Sequence, residues 1–256
     1  MHSAIIELDH ISLTYHEPHA ETLAIDNLSL TINEGEFVSI VGPSGCGKTS
    51  MLSLLAGLIK PSSGSVRLLG HEVNRVESNI GYMLQRDHLL DWRTIERNVL
   101  LGLEVKHMLN AQTHARALEL LHTYGLSDFT KHYPRQLSGG MRQKVALIRT
   151  LAFDPSLLLL DEPFCALDYQ TRLLVADEVY DIIRKEKKTA ILVTHDLAEA
   201  ISMSDRILVF SERPAHLKSE HIMMLSVSGS PIARRNAAEF KEYFDAIWKE
   251  LDTCGE

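Results

Sequence analysis

Short alternating runs open the chain. Ile11, Leu13 and Tyr15 recur at every second position, as do Leu28, Leu30 and Ile32, and Phe37-Val-Ser-Ile-Val41 is a continuous apolar run after the turn Glu34-Gly35-Glu36. Period two over such short segments predicts strands between residues 5 and 41, the last of them buried on both faces. A helix is expected after the loop at 42–47, running to about Gly57 and stopped by Pro61-Ser-Ser-Gly64, with short strands to follow at 66–69 and 80–84. From 91 to 153 the spacing changes. Ile95, Val99 and Leu103, and then Ala117, Leu118 and Leu121, fall at helical intervals, which predicts a helical insertion. Strand 157–160, a helix from about 168 to 187, strand 190–194, a short helix and strand 206–210 come next. Strands alternating with helices imply an α/β fold with a mostly parallel sheet. After 211 the pattern is less regular until Phe240, Phe244, Ile247 and Leu251 mark an amphipathic terminal helix.

Composition narrows the class. At 256 residues and 45% hydrophobic the chain can build one sizeable core. No stretch nears the roughly 18 to 20 apolar residues of a membrane span; the densest run, Leu157 to Leu160, ends at Asp161. The start, Met1-His2-Ser3-Ala4-Ile5, carries neither the basic nor the apolar part of a signal peptide, so a cytosolic chain is expected. A net charge of −8 has the wrong sign for a surface that neutralises phosphate backbones, so nucleic acid is not an expected partner. Cys46, Cys165 and Cys254 are scattered and odd in number, which fits reduced thiols. The 13 histidines are dispersed and form no HExxH spacing, so a histidine metal site is not expected.

Two motifs carry chemistry by themselves. Gly42-Pro-Ser-Gly-Cys-Gly47-Lys48-Thr49 fits GxxxxGK[ST] and lies between a buried strand and a helix, where such a loop must sit. A chance match in a chain of this length is on the order of one in a hundred before that context is counted. Glycines let backbone N–H groups wrap a β-phosphate, and the following helix N-terminus favours negative charge. Lys48 supplies a cation to the β- and γ-phosphates, and Thr49 offers a hydroxyl to Mg2+. Cys46 reads as a small loop residue, since no basic partner for its thiol is visible in the sequence. The second motif, Leu157-Leu-Leu-Leu-Asp161-Glu162, sets two carboxylates at the tip of a buried strand, where an open parallel sheet places its ligand. Asp161 can hold Mg2+ through water and Glu162 can polarise the attacking water.

Leu137-Ser138-Gly139-Gly140-Met141, ahead of a helix at 142–153, resembles the signature motif of ABC ATPases. Ser138 as an N-cap followed by two glycines is an anion site of the same physical kind as the phosphate loop. The resemblance extends from about residue 5 to 210. It implies a P-loop NTPase core with a mostly parallel sheet, an N-terminal antiparallel β-subdomain and an inserted α-helical signature subdomain. One ABC ATPase domain would then span 1–256: core and β-subdomain at 5–85 and 155–210, helical subdomain at 86–154, and a C-terminal extension at 211–256. Contacts to ATP are implied for Tyr15, which resembles the aromatic that stacks on adenine, and for Gly42, Pro43, Ser44, Gly45, Cys46, Gly47, Lys48, Thr49 and Ser50. Gln85 is similar to the glutamine that senses Mg2+ and the attacking water, and His195 to the switch histidine at the γ-phosphate. Catalysis is expected from Glu162, His195, Lys48 and Gln85, with Thr49, Gln85 and Asp161 toward the metal. Asp168, in Ala166-Leu-Asp168, resembles the loop that crosses a dimer interface, and Ser138, Gly139 and Gly140 would meet the nucleotide of a partner subunit.

Leu89-Leu-Asp-Trp-Arg-Thr94, Asp161-Glu-Pro-Phe-Cys-Ala-Leu-Asp168 and His195-Asp-Leu-Ala-Glu-Ala200 resemble most the ATPases of nitrate, sulfonate, taurine and thiamine-precursor importers. In that group residues 86–98 receive the permease, with Leu89, Leu90 and Trp92 as apolar docking surface. The implied partners are a second ATPase subunit, integral-membrane permease subunits and an extracytoplasmic solute-binding protein. The implied location is peripheral, on the cytoplasmic face of the cell membrane. Residues 211–256 are too few for the extra β-domain of sugar and polyamine importer ATPases. An exporter ATPase and a soluble ABC ATPase acting on nucleic acid are the alternative readings, and the acidic charge and absence of a long coiled coil weigh against the second.

Overall fold

The computed structural model describes residues 3–17 and 20–252; Met1, His2 and Cys254 lie outside the described residues. Along the chain run β1 (Ala4–Glu17), β2 (Ala20–Asn33), β3 (Phe37–Val41), α1 (Lys48–Leu55), β4 (Ser63–Leu68), β5 (His71–Glu72), β6 (Ile80–Met83), α2 (Ile95–Val105) and α3 (Ala111–Thr123). Then come α4 (Gly139–Leu151), β7 (Leu157–Asp161), α5 (Tyr169–Lys185), β8 (Thr189–Val193), α6 (Leu197–Met203), β9 (Arg206–Phe210), β10 (Leu217–Ile222), α7 (Pro231–Arg234) and α8 (Phe240–Asp252). Ser78–Glu186 forms one compact unit, and the described residues on either side of it form the other.

In the two-part unit the first strands build an antiparallel sheet of order β2-β1-β4-β5. The alternation read from the sequence is its inward face: Ile11, Leu13, Leu28 and Ile32 are buried. The second sheet places β3 between β8 and β9, parallel to both, with β10 antiparallel on the outer side of β9. Every residue of β3 and β8 is buried, which is why these strands read as continuous apolar runs. The fold is therefore α/β with mixed sheets and an antiparallel N-terminal sheet, as expected.

Strand β10 is absent from the sequence pattern. Leu-Lys-Ser-Glu-His-Ile alternates only between half-buried and exposed positions, and an edge strand held by one neighbour needs no apolar face. Three other boundaries moved. Strand β4 begins at Ser63, inside the segment read as a turn, because Ser63 pairs with Ser12 across the sheet. Helix α4 begins at Gly139 rather than near Arg142, because Ser138 caps it and carries both glycines into the first turn. Helix α1 ends at Leu55.

In the unit formed by residues 78–186, β6 and β7 pair in parallel with Met83 opposite Leu160, and every residue of β7 is buried. Helices α2, α3, α4 and α5 accompany them. The segment read as a helical insertion thus shares its unit with two strands and with α5.

The terminal helix is amphipathic as read. Ile247 is fully buried against Val41, Leu197, Ile201, Ile207 and Val209, with Phe240, Phe244 and Leu251 half-buried beside it. This cluster backs β3 and α6, the two elements that carry the phosphate loop and the segment after His195. Shortening Ile247 to Ala leaves a cavity under α6. Ile247→Ala is expected to lower unfolding free energy by roughly 2–5 kcal/mol in urea titration, the range for a buried isoleucine cut to alanine; a loss under about 0.5 kcal/mol would show that α8 is not part of this core.

Candidate functional site

Strand β3 ends at Val41, and the chain turns through Gly42–Gly47 directly into α1. A methyl on Gly42 would stand 3.0 Å from the Phe210 carbonyl and 3.1 Å from Cys46 Sγ; one on Gly47, where φ is +123°, would stand 3.1 Å from the Ala24 carbonyl. A side chain at Gly42 or Gly47 would crowd neighbouring backbone, and at Gly47 it would also meet a positive φ that suits glycine. Lys48 is 7% exposed, and its Nζ donates to the carbonyls of Gly42 at 2.7 Å and Pro43 at 2.9 Å. The ammonium is therefore folded back across the concave side of the loop. Gly47 provides no side chain to cap α1. Ser44, Gly45 and Thr49 are exposed at the rim.

Cys46 has the basic neighbour that the sequence did not reveal: Lys48 Nζ lies 3.9 Å from its sulfur. Burial nevertheless pushes the thiol up from its usual range, against the pull of that cation, so the side chain is an unreactive filler. Tyr15, on β1 and 39% exposed, donates through its hydroxyl to Ser50 Oγ at 3.0 Å, which brings the ring to the start of α1.

The parallel register brings a second residue to the same sheet edge. Ile40 pairs with Val193, and the Thr194 amide donates to the Ile40 carbonyl at 3.4 Å, so His195 leaves β8 where the phosphate loop leaves β3. His195 is exposed. Its backbone is fixed by neighbours that the sequence reading passed over. Asp196 caps α6 through the amides of Ala198 and Glu199, its own amide donates to Thr194 Oγ1 at 3.0 Å, and that hydroxyl donates to the buried Glu199 carboxylate at 2.8 Å. An Asp at an N-cap is a legible signal; the Thr194–Glu199 contact is not, because it depends on burial.

In the unit of residues 78–186 the acids gather with Gln85. Asp161, 7% exposed at the tip of β7, lies 3.4 Å from the Tyr82 hydroxyl of β6. Gln85, just past β6, directs Nε2 at Glu162 Oε2 from 3.5 Å. Glu162 has a φ of +45°, a left-handed backbone rare for a residue with a side chain and typical of functional positions. The Cys165 amide donates to the Glu162 carbonyl at 3.3 Å, closing the turn that holds it.

Ser138 caps α4, its Oγ accepting from the Met141 amide at 3.2 Å, and its hydroxyl proton remains available for an acceptor. The two glycines behind it have a packing role besides any anion role. A methyl on Gly140 would stand 2.7 Å from Val175 Cγ2, and one on Gly139 3.1 Å from Leu167 Cδ2. Asp168 caps α5 through the Thr171 amide at 3.1 Å, and hydrogen bonds from Thr171 hold its exposed carboxyl below the usual range. Of the apolar residues read as docking surface, Leu89 is buried, Leu90 half-buried and Trp92 76% exposed.

No helix of the described residues is long and apolar enough to cross a membrane. The ABC transporter family profile matches residues 25–165. The ABC transporter ATP-binding protein YtlC of Bacillus subtilis is 47% identical over 98% of this chain and 96% of its own length. The taurine import ATP-binding protein TauB of Ruegeria pomeroyi is 37% identical over 84% of this chain and 81% of its own. Among solved structures, a dimeric post-hydrolysis state of the ATP-binding cassette MJ0796 bound to ADP and Pi superposes with a TM-score of 0.72 at 32% identity, over 86% of this chain and 99% of that one. Phosphate loop, acidic strand end and capped glycine turn thus stand in a chain similar to such proteins over most of its length, and the chain belongs to the ABC transporter family as one of its ATP-binding proteins, an ATPase.

Proposed function

We propose that this ATPase energises an importer for a small solute of the nitrate, sulfonate, taurine or thiamine-precursor kind, working as a dimer beneath integral-membrane permease subunits on the cytoplasmic face of the cell membrane. An extracytoplasmic binding protein would deliver the solute. The observation that carries the reading is the phosphate loop, with a nearly buried cation folded across a turn in which Gly42 and Gly47 leave no room for a side chain without a shift of their neighbours. The segments 89–94, 161–168 and 195–200, and the similarity to a taurine import ATP-binding protein, support the importer class.

Each residue's role follows from its chemistry. Lys48 exchanges its two carbonyl partners for β- and γ-phosphate oxygens, and the first-turn amides of α1 turn toward the same charge. Tyr15 offers its ring to the adenine. The hydroxyl of Thr49, the amide oxygen of Gln85 and the carboxylate of Asp161 are hard oxygen donors of the sort that fit Mg2+, an ion that keeps several waters and needs few protein ligands. Held by donors of this kind, Mg2+ would neutralise charge that develops on the phosphates. Glu162 orients a water and takes its proton as the water oxygen bonds to the γ-phosphorus; the bond from phosphorus to the β–γ bridging oxygen breaks, and its electrons stay on ADP. His195 donates to the departing phosphoryl group. The Ser138 hydroxyl and the N-terminus of α4 serve the nucleotide of the partner subunit, with Asp168 beside that interface, so ATP joins two copies and hydrolysis releases them.

Two variants test this. Lys48→Ala removes the charged donor, and at roughly 1.5–3 kcal/mol for a hydrogen bond to a charged group, ATP affinity by calorimetry should weaken about tenfold to a hundredfold. An affinity within about threefold of the parent would remove Lys48 from the site. Ser138→Arg sets a bulky cation on the turn that faces the partner's nucleotide. The isolated chain should bind ATP as before yet form no ATP-dependent dimer by light scattering. Weakened binding by the monomer would show that the turn serves its own subunit's nucleotide instead.

A further inference from the structure

The first turn of α4 is tied to the loop that follows Gln85. Arg142 donates from Nη1 to the Leu137 carbonyl at 3.1 Å and from Nε to Asp87 Oδ2 at 3.0 Å. Leu137 directly precedes Ser138. The other oxygen of Asp87 accepts from the Leu89 amide at 3.1 Å, so one carboxylate holds both the helix start and the loop. Arg149, about two turns along α4, donates to the carbonyls of Asp87 at 2.7 Å and His88 at 2.8 Å. His88 has a φ of +44°, a strained conformation that these bonds keep in place.

Beyond them the loop is stiff. Asn98, fully buried on α2, accepts from the Leu90 amide at 2.7 Å and donates to the carbonyls of Leu90, Arg93 and Thr94 at 3.1, 3.0 and 3.0 Å. Arg93 pairs with Glu104 at 2.6 Å. Trp92 projects from the middle of this frame into solvent. The loop that would receive a displacement of the turn at 138–140 is thus held by side-chain bonds at several points.

We propose that Asp87 and Arg142 are positioning residues that convey the state of the turn at 138–140 to the loop displaying Trp92. The inference rests on the proposed binding of a partner's nucleotide at that turn. Neither residue needs to touch ATP. A partly exposed ion pair adds little to folding, so cutting it should leave the fold and the nucleotide site intact.

The test follows hydrogen exchange of the Leu90 amide, whose acceptor on Asn98 no variant alters. The full chain is measured alone and with Mg2+ and a non-hydrolysable ATP analogue, with dimer formation followed separately by light scattering. In the parent dimer exchange at Leu90 should slow about tenfold. In Asp87→Ala and in Arg142→Ala the dimer should form, and the slowing should shrink to within about twofold; the double variant should lose no more than either single, as expected of two residues in one link. A full effect in either single variant, losses that multiply in the double, or a parent dimer without slowing would overturn the link. Failure of Asp87→Ala to dimerise would place Asp87 in the binding surface itself and overturn it as well. A parent chain that never dimerises contradicts the reading of the turn, and the link with it.

Discussion

Parallel pairing of buried strands is the constraint on which this molecule depends. In a parallel ladder the carboxyl ends of neighbouring strands lie on one edge, so residues distant in sequence arrive together without contacts of their own. The pairing of β3 with β8 sets His195 on the edge from which the phosphate loop departs. The pairing of β6 with β7 does the same for Gln85 and the two acids in its unit. A slip of one residue in either ladder would turn every side chain to the opposite face of the sheet, and strands buried on every residue would then have to repack on both faces.

Around these edges the chain holds charge under cover. Lys48 and Asp161 are nearly buried, and the free-energy cost of burying an ion is large unless polar partners are present. For Lys48 the partners are carbonyls of its own loop, neutral groups that a phosphate can displace. Glu162 is held differently, by a left-handed backbone and a closing bond from Cys165, so its carboxylate is aimed by the main chain. The two side chains are thus held by different means, Lys48 by carbonyl acceptors and Glu162 by the turn beneath it.

Much of this is legible from the sequence because the motifs are contiguous. A phosphate loop, an acidic strand end and a Ser-Gly-Gly cap each need only adjacent residues, and their flanking elements follow from apolar periodicity. What escaped depends on partners far along the chain or on packing. Asp87 with Arg142, Asn98 with the loop at 90–94, and Thr194 with Glu199 are recognisable only once the helices are in place. Edge strand β10 escaped because it carries no apolar stripe. The glycines were read as part of an anion site, and the packing shows a separate need for one of them, since Gly140 lets α4 approach Val175 of α5.

In the proposed mechanism Glu162 performs the chemical step while other groups bind the nucleotide. Replacing it with glutamine keeps the size and shape and removes the base. In Glu162→Gln, ATP affinity should stay within about threefold of the parent, while turnover with saturating Mg-ATP should fall about a hundredfold to ten-thousandfold, or roughly 3 to 5 kcal/mol of barrier. Size-exclusion chromatography in Mg-ATP should then show a stable dimer with nucleotide retained. Hydrolysis at the parent rate, with no ATP-dependent shift in size, would contradict the account.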